Sequence, residues 1–403
     1  MLLYNLGIRL YFFLILVASA FNKKAKAWID GRKNTAYRHF EKSAWFHFAS
    51  LGEFEQGLPV LTAYKASHPG LPIIITFFSP SGFEIRKNTP LADAVYYLPL
   101  DTAGNAREFI APINPTIAVF TKYEYWYHFF NELHKRDIPL YIISGIFRPN
   151  QVFFQWYGSL HRRMLGFVRH FFVQDEDSKL LLHKINIDNV SVSGDTRFDR
   201  VWTNAQQPKS FPLISEFIKG RTTFIAGSTW PEDEVLLATL TADHPDWKFI
   251  IAPHEISEEK INRLIELLPK NSAIKYSQLT THNSPQALII DNIGMLSSLY
   301  QYGHMAYIGG GFGAGIHNTL EAAAFGLPII FGPNYEKFKE ARDLIALRAA
   351  FCIVDENELK KIALYLADDE HRYKALSQKV KVYVREHVGA TEMIMGYIGS
   401  GLG

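Results

Sequence analysis

The sequence predicts an α/β protein of two doubly wound domains, each built on a parallel sheet. Three observations carry this expectation. At 403 residues the chain exceeds one ordinary core, so two domains are the starting point. From residue 44 onward, short β-branched or aromatic runs alternate with helical stretches, and the rhythm restarts after residue 220. The strand-like runs are almost continuously hydrophobic, which fits sheets covered on both faces. An apolar content of 48% with 20% charged residues excludes a disordered chain.

The first element is Leu2 to Phe21, LLYNLGIRLYFFLILVASAF, which has the roughly 20 residues of a membrane span and is interrupted by Asn5 and Arg9. Positive charges follow this run instead of preceding it, which argues against a cleaved signal peptide. By the positive-inside rule they leave the body of the protein in the cytoplasm. Residues 1–22 are therefore expected to form an uncleaved membrane anchor, spanning or lying in the interface. Residues 1–42 carry eight Lys and Arg against Asp30 and Glu41, giving this tenth +6 and the remainder −4. A basic segment beside an apolar run points to an anionic membrane surface, not to nucleic acid.

The strands of the first domain are expected at 44–49, 72–78, 116–120, 139–144 and 169–174. Those of the second are expected at 222–227, 248–253, 287–291, 304–309 and 327–332. Between the two sets, VWTNAQQPKSFPLISEFIKG is polar, contains two prolines and reads as a linker. The N-terminal domain is placed at 43–205 and the C-terminal one at 215–385, with 386–403 expected to return to the first. The single cysteine, Cys352, excludes an internal disulfide and lies in the apolar run AAFCIV, where a buried strand residue is expected. In two such domains facing a cleft, ligands belong at the C-terminal ends of the strands.

The chemistry-bearing residues fall on those ends. GGGFGAGIHNTLEAAAFG (309–326) runs from a strand through five glycines to a helix start. Asn318 and Glu321 suit a capping box, and capping alone explains them. The glycines suggest close approach of an anion or sugar to the backbone. A dinucleotide fingerprint is only loosely matched, and no G-x-x-x-x-G-K-[ST] loop is present. Ser228 and Thr229 in GSTWPEDE, His254 after Pro253 in APHE, and Gly294, Met295 and Leu296 in DNIGML end other strands of the same domain. In the first domain, Ser50-Leu51-Gly52 forms a tight turn and Glu53 starts a helix. There the helix dipole lowers a carboxylate pKa, so Glu53 is either a stabilising N-terminal acid or a general base at the cleft. Glu124, among Tyr123, Tyr125, Trp126 and Tyr127, follows strand 116–120, and Arg197 is expected as an exposed cation near the linker. No Asp-x-Asp or His cluster has metal-ligand spacing, so no metal and no cofactor are expected.

At these residues the chain resembles the 3-deoxy-D-manno-octulosonic acid (Kdo) transferases of lipopolysaccharide synthesis, a family with the two-domain GT-B fold. The resemblance runs through Gly31-Arg32, Ala49-Ser50-Leu51-Gly52-Glu53, Ser79-Pro80-Ser81-Gly82, Pro99-Leu100-Asp101 and Glu124-Tyr125-Trp126. It continues through Gly194-Asp195-Thr196-Arg197-Phe198-Asp199, Gly227-Ser228-Thr229 and Gly315-Ile316-His317-Asn318-Thr319-Leu320-Glu321. It implies an inverting glycosyltransferase that moves Kdo from CMP-Kdo to a lipid A precursor, lipid IVA, at the cytoplasmic face of the inner membrane. Glu53 matches the family's catalytic base, and Glu124 and Arg197 match residues that help stabilise the transition state. CMP-Kdo would be held by Ser228, Thr229, Pro253, His254, Gly294, Met295, Leu296, Gly311, Asn318, Thr319, Leu320 and Glu321. Arg32, Lys33, Ser50 and Gly52 fall on the acceptor and membrane side. The chain departs from the family pattern at Pro253, where an arginine is expected, at Lys122, where an acid is expected, and at Ile316, where a glycine is expected. The competing readings are a GT-B enzyme using another nucleotide sugar, a dinucleotide-dependent oxidoreductase, and a non-catalytic membrane-anchored binding module.

Overall fold

The computed structural model describes residues 1–33, 35–283 and 285–400. The chain divides into two compact units. The first runs over Met1–Arg200 and takes in the described residues from 388 onward, and the second is Val201–His387.

The first unit holds seven parallel strands: β1 (Ser43–Phe48), β2 (Ile73–Phe77), β3 (Ala94–Tyr97), β4 (Pro115–Thr121), β5 (Leu140–Gly145), β6 (His170–Val173) and β7 (Val190–Val192). Their order in the sheet is β3-β2-β1-β4-β5-β6-β7. Alternation along β1 sends Trp45 into a core with Phe109, Phe120 and Phe129. It sends Ala44, Phe46 and Phe48 to the opposite face, against Val60, Leu61 and Tyr64. The C-terminal helix Ala390–Ser400 closes that second face with Ile394 and Ile398. Asp199 holds its start, accepting from the Gly389 and Thr391 amides at 2.6 and 2.7 Å. Residues 401–403 of the segment expected to return to this domain lie outside the described residues.

The second unit repeats the plan with β8 (Thr223–Thr229), β9 (Lys248–Pro253), β10 (Ala273–Lys275), β11 (Ala287–Ile289), β12 (Met305–Ile308), β13 (Ile329–Phe331) and β14 (Ala350–Cys352), in the order β10-β11-β9-β8-β12-β13-β14. All ten expected strands are present. Of the other four, β14 falls on the run AAFCIV, where a strand was expected, and β3, β7 and β10 were not expected: they have three or four residues each and too little pattern to read. Cys352 ends β14 half-buried, where burial raises its thiol pKa.

In each sheet the strand order reverses at one place, between β1 and β4 in the first unit and between β8 and β12 in the second. Loops that leave such strands diverge and open a crevice at their C-terminal ends. Those loops carry Glu53, Glu124, Ser228 and the glycine run.

The N-terminal run forms helix α1 (Leu2–Ala18), followed by α2 (Lys23–Asp30), which Asn22 caps by accepting from the Lys24 and Ala25 amides. At 1.5 Å per residue α1 is about 26 Å long, short of a hydrocarbon core of about 30 Å. Among the described residues no helix is long and apolar enough to cross a membrane. Two polar residues of α1 bond to the body of the unit, while Arg9 stays exposed. Tyr4 donates to Asp101 Oδ2 at 2.5 Å, and Asn5 Oδ1 meets His128 Nε2 at 2.7 Å. Asp101 also takes the His128 and Phe129 amides at the start of helix Tyr127–Lys135, so one buried carboxylate ties α1 to the sheet.

Candidate functional site

In the first unit the turn after β1 leads into α3 (Leu51–Ser67). Ser50 is its N-cap without a side-chain cap bond, and Glu53 in the first turn reaches back so that its Oε2 accepts from the Ala49 amide at 2.5 Å. Around Gly52 a Cβ would meet nothing closer than Ser50 Oγ at 3.9 Å, so the turn faces open space. The expected lowering of the Glu53 pKa is not what this geometry produces. Burial and then the neighbouring Glu124 carboxylate push it up to about 7. The Ala49 amide, Lys122 and the Ser50 amide pull the other way and are outweighed. Glu53 thus titrates near neutrality, unlike an ordinary carboxylate at a helix N-terminus.

Glu124 follows β4, the strand next to β1. Its Oε2 accepts from Trp126 Nε1 at 2.8 Å and lies 3.3 Å from His47 Nε2. His47 is fully buried on β1, and its Nδ1 sits 2.8 Å from Thr76 Oγ1, which also takes the Trp45 indole N–H at 2.8 Å. With Glu124 ionised, His47 must present Nε2–H to it, so Nδ1 accepts the Thr76 hydroxyl. The chain Trp45, Thr76, His47, Glu124 thus fixes the second carboxylate. Nothing in the sequence pattern marks His47 or Thr76, both strand residues, as part of the site.

Lys122, in the left-handed region at φ 63°, is the cation that stands where the family pattern has an acid, and it lowers the pKa of both Glu53 and Asp195. Arg197 is not the exposed cation expected. It is half-buried and paired with Asp195, Nη2 to Oδ2 at 2.7 Å and Nε to Oδ2 at 2.9 Å. Burial alone would raise the Asp195 carboxyl, and the Arg197 guanidinium brings it below its ordinary value.

Arg32, expected toward acceptor and membrane, is turned inside. It donates to the carbonyls of Leu98, Trp28 and Phe78 at 2.8, 3.0 and 2.6 Å and lies 3.7 Å over the Trp28 ring. Burial lowers its pKa to about 9. Its neighbour Lys33 stays at the surface, 2.8 Å from Asp30.

In the second unit a bulge in β8 places Ser228 at φ 55°, and the His254 amide bonds back to the Thr229 carbonyl at 2.9 Å. Ser228, Pro253, His254, Ile290, Gly294 and Leu296 surround a cavity of about 140 Å³, which brings five of the expected donor residues together. Met295 is buried behind them and precedes the short helix Leu296–Leu299. His254 stacks on Trp230 at 4.8 Å and on His317 at 4.3 Å, and Trp230 Nε1 donates to His317 Nε2 at 3.0 Å. Burial and then His254 push the His317 imidazole down to about 4, so it is neutral at physiological pH. Trp230 and His317 were not among the expected site residues.

Ser228 and Thr229 lie at the end of β8, just before a helix. The helix they precede, Pro231–Asp243, already carries Glu232, Asp233 and Glu234 in its first turn, and Thr229 donates to Glu234 at 3.3 Å. Its dipole is compensated from within. The glycine run also has internal causes. A Cβ on Gly309 would collide with Ser228 and Thr229 backbone, and one on Gly311 would lie 2.5 Å from the Gly332 amide nitrogen. Gly310 and Gly315 have φ of 91° and 136°. Only Gly313 is free of such a requirement.

The helix after this run is Leu320–Ala324 with Thr319, not Asn318, as N-cap. Asn318 instead receives the Leu320 amide at 3.0 Å and gives its side-chain amide to Glu321 at 3.3 Å. The Thr319 hydroxyl is buried without a partner among the described residues. Ile316, at the position where a glycine was expected, is buried in the fold.

Two Rossmann-like units, each with a set of loops at its reversal of strand order, define a GT-B architecture. Comparison with solved structures agrees. UDP-GlcNAc 2-epimerase from Neisseria meningitidis matches with a TM-score of 0.63 at 14% identity, over 89% of this chain and 100% of that one. The calicheamicin glycosyltransferase CalG4 matches at 0.54 and 12%, over 89% and 98%. Residues 22–200 match the family model described as 3-deoxy-D-manno-octulosonic-acid transferase (kdotransferase). A 3-deoxy-D-manno-octulosonic acid transferase of Chlamydophila psittaci is 28% identical over 355 residues, covering 85% of this chain and 81% of that protein. Over most of its length the chain is similar to Kdo transferases.

Proposed function

We propose that the protein is an inverting glycosyltransferase that moves Kdo from CMP-Kdo to a lipid A precursor such as lipid IVA. The observation that carries the reading is the Glu53–Glu124 pair, carried just after the two strands between which the first sheet reverses order. Burial, and after it the Glu124 carboxylate, hold Glu53 near neutrality, and Glu124 is itself fixed by His47 and Trp126. In this reading Glu53 takes the proton of an acceptor hydroxyl as its oxygen bonds to the anomeric carbon. The anomeric C–O bond to the phosphate breaks, and its electron pair leaves with CMP. CMP is a good leaving group, so the mechanism calls on no strong protein acid and on neither metal nor cofactor.

The second unit is assigned to the donor. The cavity at Ser228, Pro253, His254, Gly294 and Leu296 suits the nucleotide, and the partnerless Thr319 hydroxyl supplies a buried donor beside Asn318 and Glu321. The stacked pair of His254 and His317 is uncharged, so it offers ring surface and hydrogen bonds, not charge. The cations nearest the reacting groups are therefore Lys122 and Arg197 of the first unit.

The acceptor is a lipid, and α1 fits that. Leu2 and Leu3 are 83% and 81% exposed, and Leu6, Leu10, Phe13 and Leu14 are also exposed, while Tyr4 and Asn5 bond to Asp101 and His128 of the unit's body. This is the pattern of a helix lying in the interface of the inner membrane at its cytoplasmic face, assisted by the basic residues that follow.

The test is Glu53→Gln with transfer from CMP-Kdo to the acceptor measured by product mass. Loss of kcat by about 10²–10⁴ is expected of a general base. Activity within a few-fold of the parent would remove the assignment.

A further inference from the structure

The segment between β5 and helix Ser159–Leu165 holds a feature that the reaction does not use. Phe153 is buried against Tyr125, with ring centroids 4.9 Å apart. The Gln155 side chain donates to the Pro149 carbonyl at 3.0 Å, and Arg162 Nη1 donates to the carbonyls of Phe153 and Gln155 at 3.0 and 2.8 Å. Gly158 closes the loop where a Cβ would collide with the Val152 carbonyl. All of this construction presents two rings to solvent. Trp156 is 90% exposed and Tyr157 59%, packed edge to face at 5.4 Å. A stiff loop that displays a bare indole forgoes its burial, which marks an interaction site more than an accident of packing.

Charge indicates the partner. From residue 138 to residue 174 there is no Asp or Glu, while Arg148, Arg162, Arg163 and Arg169 lie in that stretch. Arg148 and Arg163 are exposed. Trp and Tyr with adjacent arginines are the side chains that settle at the headgroup level of a bilayer. The loop also leaves the same end of the sheet as α1. Tyr4 of α1 packs on Tyr127, and Phe153 of the loop packs on Tyr125, two residues apart on the segment after β4.

We propose that Trp156 and Tyr157, with Arg148 and Arg163, form a second contact with an anionic lipid surface, continuous with α1. This rests on the reading of α1 as an interfacial helix. Two contacts fix the orientation of the first unit on the bilayer, which a single helix leaves free to roll.

The test uses the full chain with its one native cysteine removed as Cys352→Ser. An environment-sensitive fluorophore is placed in turn at Phe13→Cys, Trp156→Cys and Leu180→Cys, the last on helix Glu176–His183. Each is titrated with phosphatidylcholine vesicles containing or lacking phosphatidylglycerol. The expected result is a blue shift at positions 13 and 156, enhanced by phosphatidylglycerol, and none at 180. In the unlabelled protein, Trp156→Ala/Tyr157→Ala should weaken vesicle binding on the order of tenfold. Both residues are solvent-exposed, so a soluble short-chain acceptor should still be turned over. A shift at 13 without one at 156 overturns the second contact and leaves the α1 reading standing. No shift at either overturns both, and an equal shift at 180 reduces the effect to general adsorption.

Discussion

The turn after β1 and the turn after β12 look alike in sequence, a glycine-bearing link from strand to helix, and they differ in what the glycines are for. In the first, Gly52 faces open space and the adjacent Glu53 is held far from its ordinary pKa. In the second, Gly309 to Gly315 are required mainly by backbone packed against backbone, and the nearby His317 is kept neutral. One turn stores unfavourable electrostatics beside an opening, and the other is a joint of the scaffold. Strained ionisation is a better guide to chemistry here than glycine count.

The largest effects should separate the two turns by kind. Glu53→Gln, isosteric and able to keep the Ala49 amide bond, should cost about 3–5 kcal/mol in the reaction barrier, matching the 10²–10⁴ loss in rate. It should not cost stability. The Glu53 pKa is raised from 4.5 to about 7 on folding, so its ionisation penalises the folded state as pH rises through that interval. The variant should therefore gain Tm relative to the parent between pH 4 and pH 8. A Tm difference that does not grow over this range would show that Glu53 is not buried beside a second charge. Gly311→Ala should do the reverse. Its Cβ has no room beside Gly332, and a loss of about 1–3 kcal/mol in denaturant unfolding is expected, with the fraction that remains folded still active.

A smaller effect tests the coupling within the first turn. Glu124 raises the Glu53 pKa, so Glu124→Gln should move the acid limb of the kcat/KM profile to lower pH, whatever it does to the maximum rate. The other charged and titratable groups around the pair are Lys122, Tyr123, Tyr11 and His47, and none of them changes in this variant. An unmoved limb would mean that burial alone sets the Glu53 pKa. His47→Phe would separate positioning from charge. It removes the Nε2–H that holds Glu124 and should lower kcat while leaving the donor KM unchanged.

What could be read from the chain follows the range of the forces. The strands and the ends that carry Glu53, Glu124, His254 and Asn318 depend on local pattern, and they were found. The Glu53 shift comes from burial and then from Glu124, which only the folded sheet, with β1 paired to β4, brings about. His47 looks in sequence like any strand residue and becomes a partner of Glu124 through the same pairing. Arg32 reads as one more basic residue after an apolar run, because its aromatic surroundings come from three separate segments, at Trp28, Phe78 and Tyr97. The backbone that crowds the glycine run belongs to Ser228, Thr229 and Gly332, none of them adjacent in sequence, so that cause of the glycines is not legible in the chain.

The smallest effect is the most informative about the second turn. Gly313 has an ordinary φ, and a Cβ there would meet only the Gly310 carbonyl at 3.7 Å. Gly313→Ala should leave stability within about 0.5 kcal/mol of the parent. A glycine that the fold does not need costs conformational entropy without return unless something else must approach the backbone. If CMP-Kdo comes to this turn, it does so here, and the donor KM should rise several-fold with Tm unchanged. A change in neither quantity would take from the glycine run its last part in donor binding and leave the pocket to Ser228, His254 and Thr319. A fall in Tm would make Gly313 one more piece of the joint.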